Sequence, residues 1–191
     1  MSQDPQSEPA APSSPREALS QCHHCIAGML DRLESLAGEL VPDGQAVPSA
    51  DLPDRARALV AEIDEALNVH MADEENEMFP AILAAANAPG RRAQAFELVS
   101  SLLVEHREFA ELWHALRIAL LALGGGVSIA FPGGTAAEFL VRVRRHLERE
   151  SLELAELMGV LDRARSREIA VSLANRHDEA CPRIRNCPLK P

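Results

Sequence analysis

Two short stretches of the chain pair histidine with glutamate at a spacing suited to metal chemistry. His70-Met71-Ala72-Asp73-Glu74-Glu75-Asn76-Glu77 and His146-Leu147-Glu148-Arg149-Glu150-Ser151-Leu152-Glu153 both read His-x-x-x-Glu-x-x-Glu. On a helix, residues four apart lie one above the other on one face. Further histidines recur at His23 and His106, each in helical step with apolar residues before and after it. Imidazole and carboxylate without thiolate form a donor set that suits iron, manganese or zinc, and non-haem iron best.

The elements that position these residues are helices. Apolar residues make up 47% of the 191 residues, aromatics 3%, and tyrosine is absent, so the core is aliphatic and the class is all-α. The net charge of −10 argues against nucleic acid and against anionic membrane surfaces. No apolar run reaches the roughly 18–20 residues of a membrane span. The first fifteen residues lack the basic and apolar regions of a signal peptide, so a cytoplasmic protein is expected.

Ser14-Pro15-Arg16-Glu17 combines an N-cap, a first-turn proline and a capping box. The first helix runs from there to about Leu40, with inward stripe Leu19, His23, Ile26, Leu30, Leu33, Ala37 and Leu40. A loop spans Val41 to Ala50. The second helix starts near Asp51 and carries Ala56, Leu59, Ile63, Leu67, His70, Glu74 and Met78, with a kink expected at Pro80. The third runs from about Arg91 to Leu123, with stripe Val99, Leu102, His106, Phe109, Trp113, Leu116 and Leu120, and Gly124-Gly125-Gly126 stops it. Val127, Ile129 and Phe131 are expected to fold back over the end of the bundle. A capping box at Thr135–Glu138 opens the fourth helix, with stripe Phe139, Val143, His146, Glu150 and then Leu154 or Leu157. A short fifth helix is expected from Asp162 to about Asn175, then an irregular tail.

The predicted organisation is a disordered tail at 1–14, an antiparallel up-down four-helix bundle at 15–165, and a C-terminal extension with a cysteine-containing tail at 166–191. The bundle is an internal near-repeat: a helix with one inward histidine, then a helix with His-x-x-x-Glu, twice over. Four histidines and two glutamates on four apolar stripes would be badly destabilising alone, because a buried unpaired carboxylate costs several kcal/mol. A pair of metal ions, each taking two histidines and sharing both glutamates, resolves the conflict. Ions bridged in this way sit about 3.5–4 Å apart.

The chain resembles the hemerythrin-like (HHE cation-binding) domains. The resemblance rests on Cys22-His23-His24-Cys25-Ile26, His70-x-x-x-Glu74-Glu75-x-x-Met78-Phe79-Pro80, Glu105-His106 and His146-x-x-x-Glu150, and covers roughly residues 16–165. It implies two iron ions joined by an oxo or hydroxo bridge, with His23, His70, His106 and His146 as terminal ligands and Glu74 and Glu150 as bridges. The oxygen carriers of the family have a second histidine one turn after the third-helix histidine, where this chain has Ala110. The site is therefore similar to the symmetric four-histidine version found in iron–sulfur repair proteins and some sensors.

The expected partner is a small oxidant: dioxygen, nitric oxide or peroxide. A di-iron oxidoreductase, an iron-handling or repair protein, and a metal-stapled interaction module are the alternatives. On the first helix His23 continues the stripe and His24 lies about 100° off it, so His23 is the expected ligand. Glu77 and Glu153 form either a water-facing rim or a carboxylate path. Phe109 and Trp113 are wall or core. Cys22 and Cys25 are expected to be partly buried and inert; a thiol switch, or a zinc site with Cys181 and Cys187, is the alternative. His114 and His177 are expected on the surface.

Overall fold

The computed structural model describes Pro12 and residues 14–40, 49–127 and 129–180. The expected disordered tail lies almost wholly outside them, as do Cys181, Cys187 and most of the loop expected at Val41–Ala50. The elements in order are α1 (Pro15–Leu40), α2 (Leu52–Asp73), a π turn (Glu74–Met78), α3 (Phe79–Ala85), α4 (Pro89–Gly124), α5 (Gly133–Arg149), a second π turn (Glu150–Leu154), α6 (Ala155–Leu157), a 3-10 turn (Met158–Val160) and α7 (Arg163–Ala180). No strand occurs among the described residues. No described helix is long and apolar enough to cross a membrane.

The expected all-helical class holds, and five long helices pack together. α1 lies against α2, α5 and α7, and α4 lies against α2 and α5. The stripes face inward as the periodicity predicts. Leu30, Leu33, Ile63, Leu102, Leu116, Phe139 and Val143 are all buried. Each such side chain contributes roughly 1.5–3 kcal/mol through burial.

The core is divided in two. One apolar cluster contains Ile26, Leu67, Phe109 and Val143. The other contains Leu19, Met78, Leu102 and Leu154. On each of the four inward stripes a histidine stands at the boundary between the two clusters. The polar residues thus form one layer sandwiched between two greasy ones.

Helix starts and stops follow local chemistry in part. The Glu17 amide donates to Ser14 Oγ at 3.2 Å, as the capping motif predicts. The Arg165 amide donates to Asp162 Oδ1 at 2.8 Å and opens α7 in the same way. Gly126 takes φ 76°, which a side chain would resist, and closes α4. The capping box expected at Thr135 does not form. α5 starts two residues earlier, at Gly133, with no side-chain cap.

The second helix departs from expectation more instructively. The irregularity associated with Pro80 is a π turn just before it, and helix continues through α3 to Ala85. Proline lacks an N–H and its ring crowds the carbonyl four residues back, so a wider turn accommodates it. The Phe79 amide accordingly donates to the Glu74 carbonyl, five residues back. The same turn forms after His146, where the Ala155 amide donates to the Glu150 carbonyl, although no proline follows there. Both π turns begin at the glutamate of His-x-x-x-Glu, a placement typical of functional sites.

The C-terminal region also differs. α7 runs on to Ala180, so the expected irregular tail does not begin at Arg176. Ile169, Ala170 and Leu173 are buried, two of them in the same apolar cluster as Leu19 and Met78. Of the three apolar loop residues, only Phe131 packs against the core, while Val127 and Ile129 stay exposed.

Candidate metal centre

The polar layer brings all six expected residues together. His70, Glu74, His106, His146 and Glu150 are at most 2% exposed and His23 is 8% exposed. His24 is exposed, as is His114. Their donor atoms form two groups of four, His23–His70–Glu74–Glu150 and Glu74–His106–His146–Glu150, with the atoms of each group within 4.8 Å of one another. The two groups share both glutamates.

The spacings within the layer are those of ligands around an ion. His106 Nε2 and His146 Nε2 are 3.1 Å apart. Two donors bonded at right angles to one ion at about 2.1 Å stand about 3 Å apart. Glu150 Oε2 lies 3.1 Å from His23 Nε2 and 3.3 Å from His70 Nε2, while its Oε1 lies 2.6 Å from His146 Nε2. Glu74 Oε2 lies 3.2 Å from His106 Nε2 and 3.8 Å from His70 Nε2.

These contacts are close but poorly satisfied. None of the four carboxylate oxygens of Glu74 and Glu150 makes a well-directed hydrogen bond, nor does Nε2 of His23 or His70. Six orphaned polar atoms at the centre of an apolar core would cost more than a domain's net stability tolerates. Their donor chemistry, two nitrogens and shared carboxylate oxygens per group, fits a pair of cations between them.

Without a cation the layer is strained electrostatically. Burial, and then the neighbouring Glu150 carboxylate, push Glu74 well above the ordinary carboxylate range. Burial acts upward on Glu150 too, but His70, His106, His146 and His23 outweigh it and hold that carboxyl well below. Burial lowers His70 to about 4, against the attraction of Glu150. Burial also opposes charge on His106, yet the carboxylates of Glu150, Glu74 and Glu75 raise it to about 10. Protons therefore occupy the layer where positive charge is called for.

The outer nitrogens fix the orientation of three imidazoles. His106 Nδ1–H donates to Glu75 Oε1 at 2.7 Å. His146 Nδ1–H donates to Glu105 Oε2 at 2.8 Å, and Arg149 holds the other oxygen of Glu105. Ser151 Oγ donates to the Leu147 carbonyl at 2.8 Å, so it accepts from His23 Nδ1–H at 3.0 Å. With Nδ1 as the donor to these partners, Nε2 is the nitrogen left to offer its lone pair to a cation, once the extra proton on His106 is displaced.

Reading the residues one by one assigns no role to Glu75, Glu105 or Ser151. Each is the sequence neighbour of a donor: Glu75 of Glu74, Glu105 of His106, Ser151 of Glu150. About 100° off the inward stripe, each reaches the histidine of the next helix. A carboxylate or hydroxyl beside a candidate ligand was the available signal.

Aromatic rings wall one side. Phe79 stacks on His106 at 6.0 Å, and Phe109 meets His106 at 5.5 Å and His146 at 5.0 Å. Trp113 is farther out: it packs on Phe139 and its indole N–H donates to Asp64 at 2.8 Å. Glu77 and Glu153 part company. Glu77 accepts from Arg176 at 2.6 Å and Ser172 at 2.7 Å, whereas Glu153 stays exposed beside Arg149. His177, expected on the surface, instead donates to Asp73 Oδ2 at 2.7 Å and is mostly buried. Cys22 is buried and Cys25 half-buried.

Neither the curated proteins nor the solved structures contain a match to this chain. The family model of the hemerythrin HHE cation binding domain matches residues 14–158, a span that holds all six converging side chains and excludes α7. The chain belongs to the hemerythrin HHE cation-binding domain family.

Proposed function

We propose that the protein is a non-haem di-iron protein that binds, senses or reacts with a small oxidant such as dioxygen, nitric oxide or peroxide. In this reading an antiparallel up-down arrangement of α1, α2–α3, α4 and α5–α6 forms the bundle. His23, His70, His106 and His146 are terminal ligands, Glu74 and Glu150 bridge, and an oxo or hydroxo group completes the link. The observation that carries it is the pair of four-donor groups sharing two orphaned carboxylates.

When bound, the iron pair supplies redox change and a coordination position for a small exogenous ligand. The protein's part is to hold His23, His106 and His146 in one tautomer and to keep two carboxylates dry and ionised between cations. Phe79 and Phe109 exclude water from one side. The donor atoms of each group lie within 4.8 Å of one another, a spacing that favours a diatomic or a peroxide over a larger substrate.

Elemental analysis with an absorption spectrum of freshly purified protein is the test. Two irons per chain and a near-ultraviolet band of a bridged pair are expected, and azide or nitric oxide should perturb that spectrum. A bound iron pair whose spectrum ignores both ligands would leave a metal-stapled scaffold and end the oxidant-binding reading.

A further inference from the structure

The geometry points to two unequal metal positions: an ion at His106–His146 that the protein retains, and an ion at His23–His70 that exchanges. This deepens the di-metal reading of the same centre and rests on it.

Two independent observations separate the positions. The first is what stands behind each imidazole. His106 and His146 each donate Nδ1–H to a carboxylate, Glu75 at 2.7 Å and Glu105 at 2.8 Å. His23 donates to the neutral Ser151 hydroxyl at 3.0 Å, and no carboxylate lies behind His70 among the described residues. A carboxylate partner enriches the opposite nitrogen and makes it a stronger donor to a metal. Arg149 shares the charge of Glu105, and Glu75 is partly solvated, so the enrichment is moderated but not removed.

The second observation is access. Phe79 and Phe109 pack on the rings of His106 and His146, and both phenyl groups are buried. His23, at 8%, is the most exposed of the six residues, the others being at most 2% exposed. Solvent and chelators reach the His23 side first. Glu75 and Glu105 are thus positioning residues for the retained ion.

The test uses the full chain, stripped of metal and reloaded with two equivalents of cobalt(II). Excess chelator is added and the visible absorption followed. Two phases are expected, one ion per chain leaving about 10-fold or more faster than the other. Glu75→Gln and Glu105→Gln should speed only the slow phase, by about 10–100-fold, with Glu105→Asp restoring part of the difference. Ser151→Ala should leave the slow phase unchanged. His23→Ala should still hold the slowly released ion, whereas His146→Ala should keep at most the rapidly released one, with circular dichroism checking that each is folded.

The wild-type release needs no variant, so a misfolded mutant does not shield the proposal. Two ions leaving at one rate, or a slow phase indifferent to both glutamine variants, overturns it while leaving the di-metal reading intact. A chain that takes up fewer than two ions overturns both.

Discussion

The helix pair bearing His23, His70 and Glu74 and the pair bearing His106, His146 and Glu150 present the same donors in the same order, yet they are braced differently. Carboxylates stand behind His106 and His146, while a hydroxyl stands behind His23. The π turns diverge as well. The turn at Glu74–Met78 is clamped by α7: Arg176 donates to Asp73 and to Glu77, and His177 donates to Asp73. Among the described residues the turn at Glu150–Leu154 has no such clamp, and its Glu153 pairs only with Arg149, one turn away. A sequence repeat thus yields symmetric inner donors and asymmetric support. In the di-metal reading the inner donors answer to the ions they would share. The support answers to whatever neighbour each half acquires.

The largest effect that bears on this comparison is expected at Glu150, which approaches three histidines within 3.3 Å, whereas Glu74 approaches one that closely. Glu150→Gln should abolish uptake of both ions. A ligand present at a thousandfold its dissociation constant stabilises by about 4 kcal/mol, and the loaded protein should lose that much in a thermal melt. Glu74→Gln should cost less. In metal-free protein both changes should be far milder, because each removes an orphaned carboxylate. A Glu74 variant more damaging than the Glu150 variant would break the proposed ranking.

Protons supply the next test. In the metal-free layer His106 is raised to about 10 and Glu74 is pushed well above the ordinary carboxylate range. Below those values both groups hold protons that metal must displace. Loading should therefore release acid, and affinity should climb by roughly tenfold per pH unit for each proton displaced, levelling off above about pH 10. Metal uptake followed in weakly buffered solution would read this directly; uptake without acid release would contradict it.

The α7 clamp comes third. Arg176→Ala should lower stability in urea by only about 1 kcal/mol, because water screens a guanidinium that is more than a third exposed. Burial acts upward on Glu77, but Arg176 and Ser172 outweigh it and hold its carboxyl below the ordinary value. Its contribution is present at neutral pH and is lost as pH falls through the folded value. The Arg176 variant should lose most of that acid dependence, since Ser172 still donates to Glu77. If Arg176→Ala disturbs metal uptake as strongly as Glu150→Gln, the clamp is part of the centre rather than a support for one turn.

The smallest effect separates neighbours. His24→Ala should leave metal content unchanged and stability within about 0.5 kcal/mol, while His23→Ala should cost an ion. Equal metal loss in the two variants would mean that both imidazoles serve the centre.

Much of the site was legible because helical periodicity is local. His23 lies in step with Leu19 and Ile26, and His24 does not; that arithmetic needs no partner helix, and the buried and exposed positions follow it. The clamp was not legible, because Arg176 and His177 find Asp73 about a hundred residues away. Nothing in a polar C-terminal stretch announces such a partner. The π turns were half legible. Pro80 marked trouble in one helix, but the matching turn at Glu150 carries no proline to mark it.

Residue type and spacing alone determined the helices, their inward stripes, and the layer of four histidines and two glutamates, because each turn of helix sets its own face. Tertiary packing decided which histidines share a group of donors, which receive a carboxylate and which a hydroxyl, and where α7 comes to rest. Those outcomes depend on how helices rotate and approach one another, and side chains such as Glu75 and Glu105 acquire a partner only once a neighbouring helix brings an imidazole within reach.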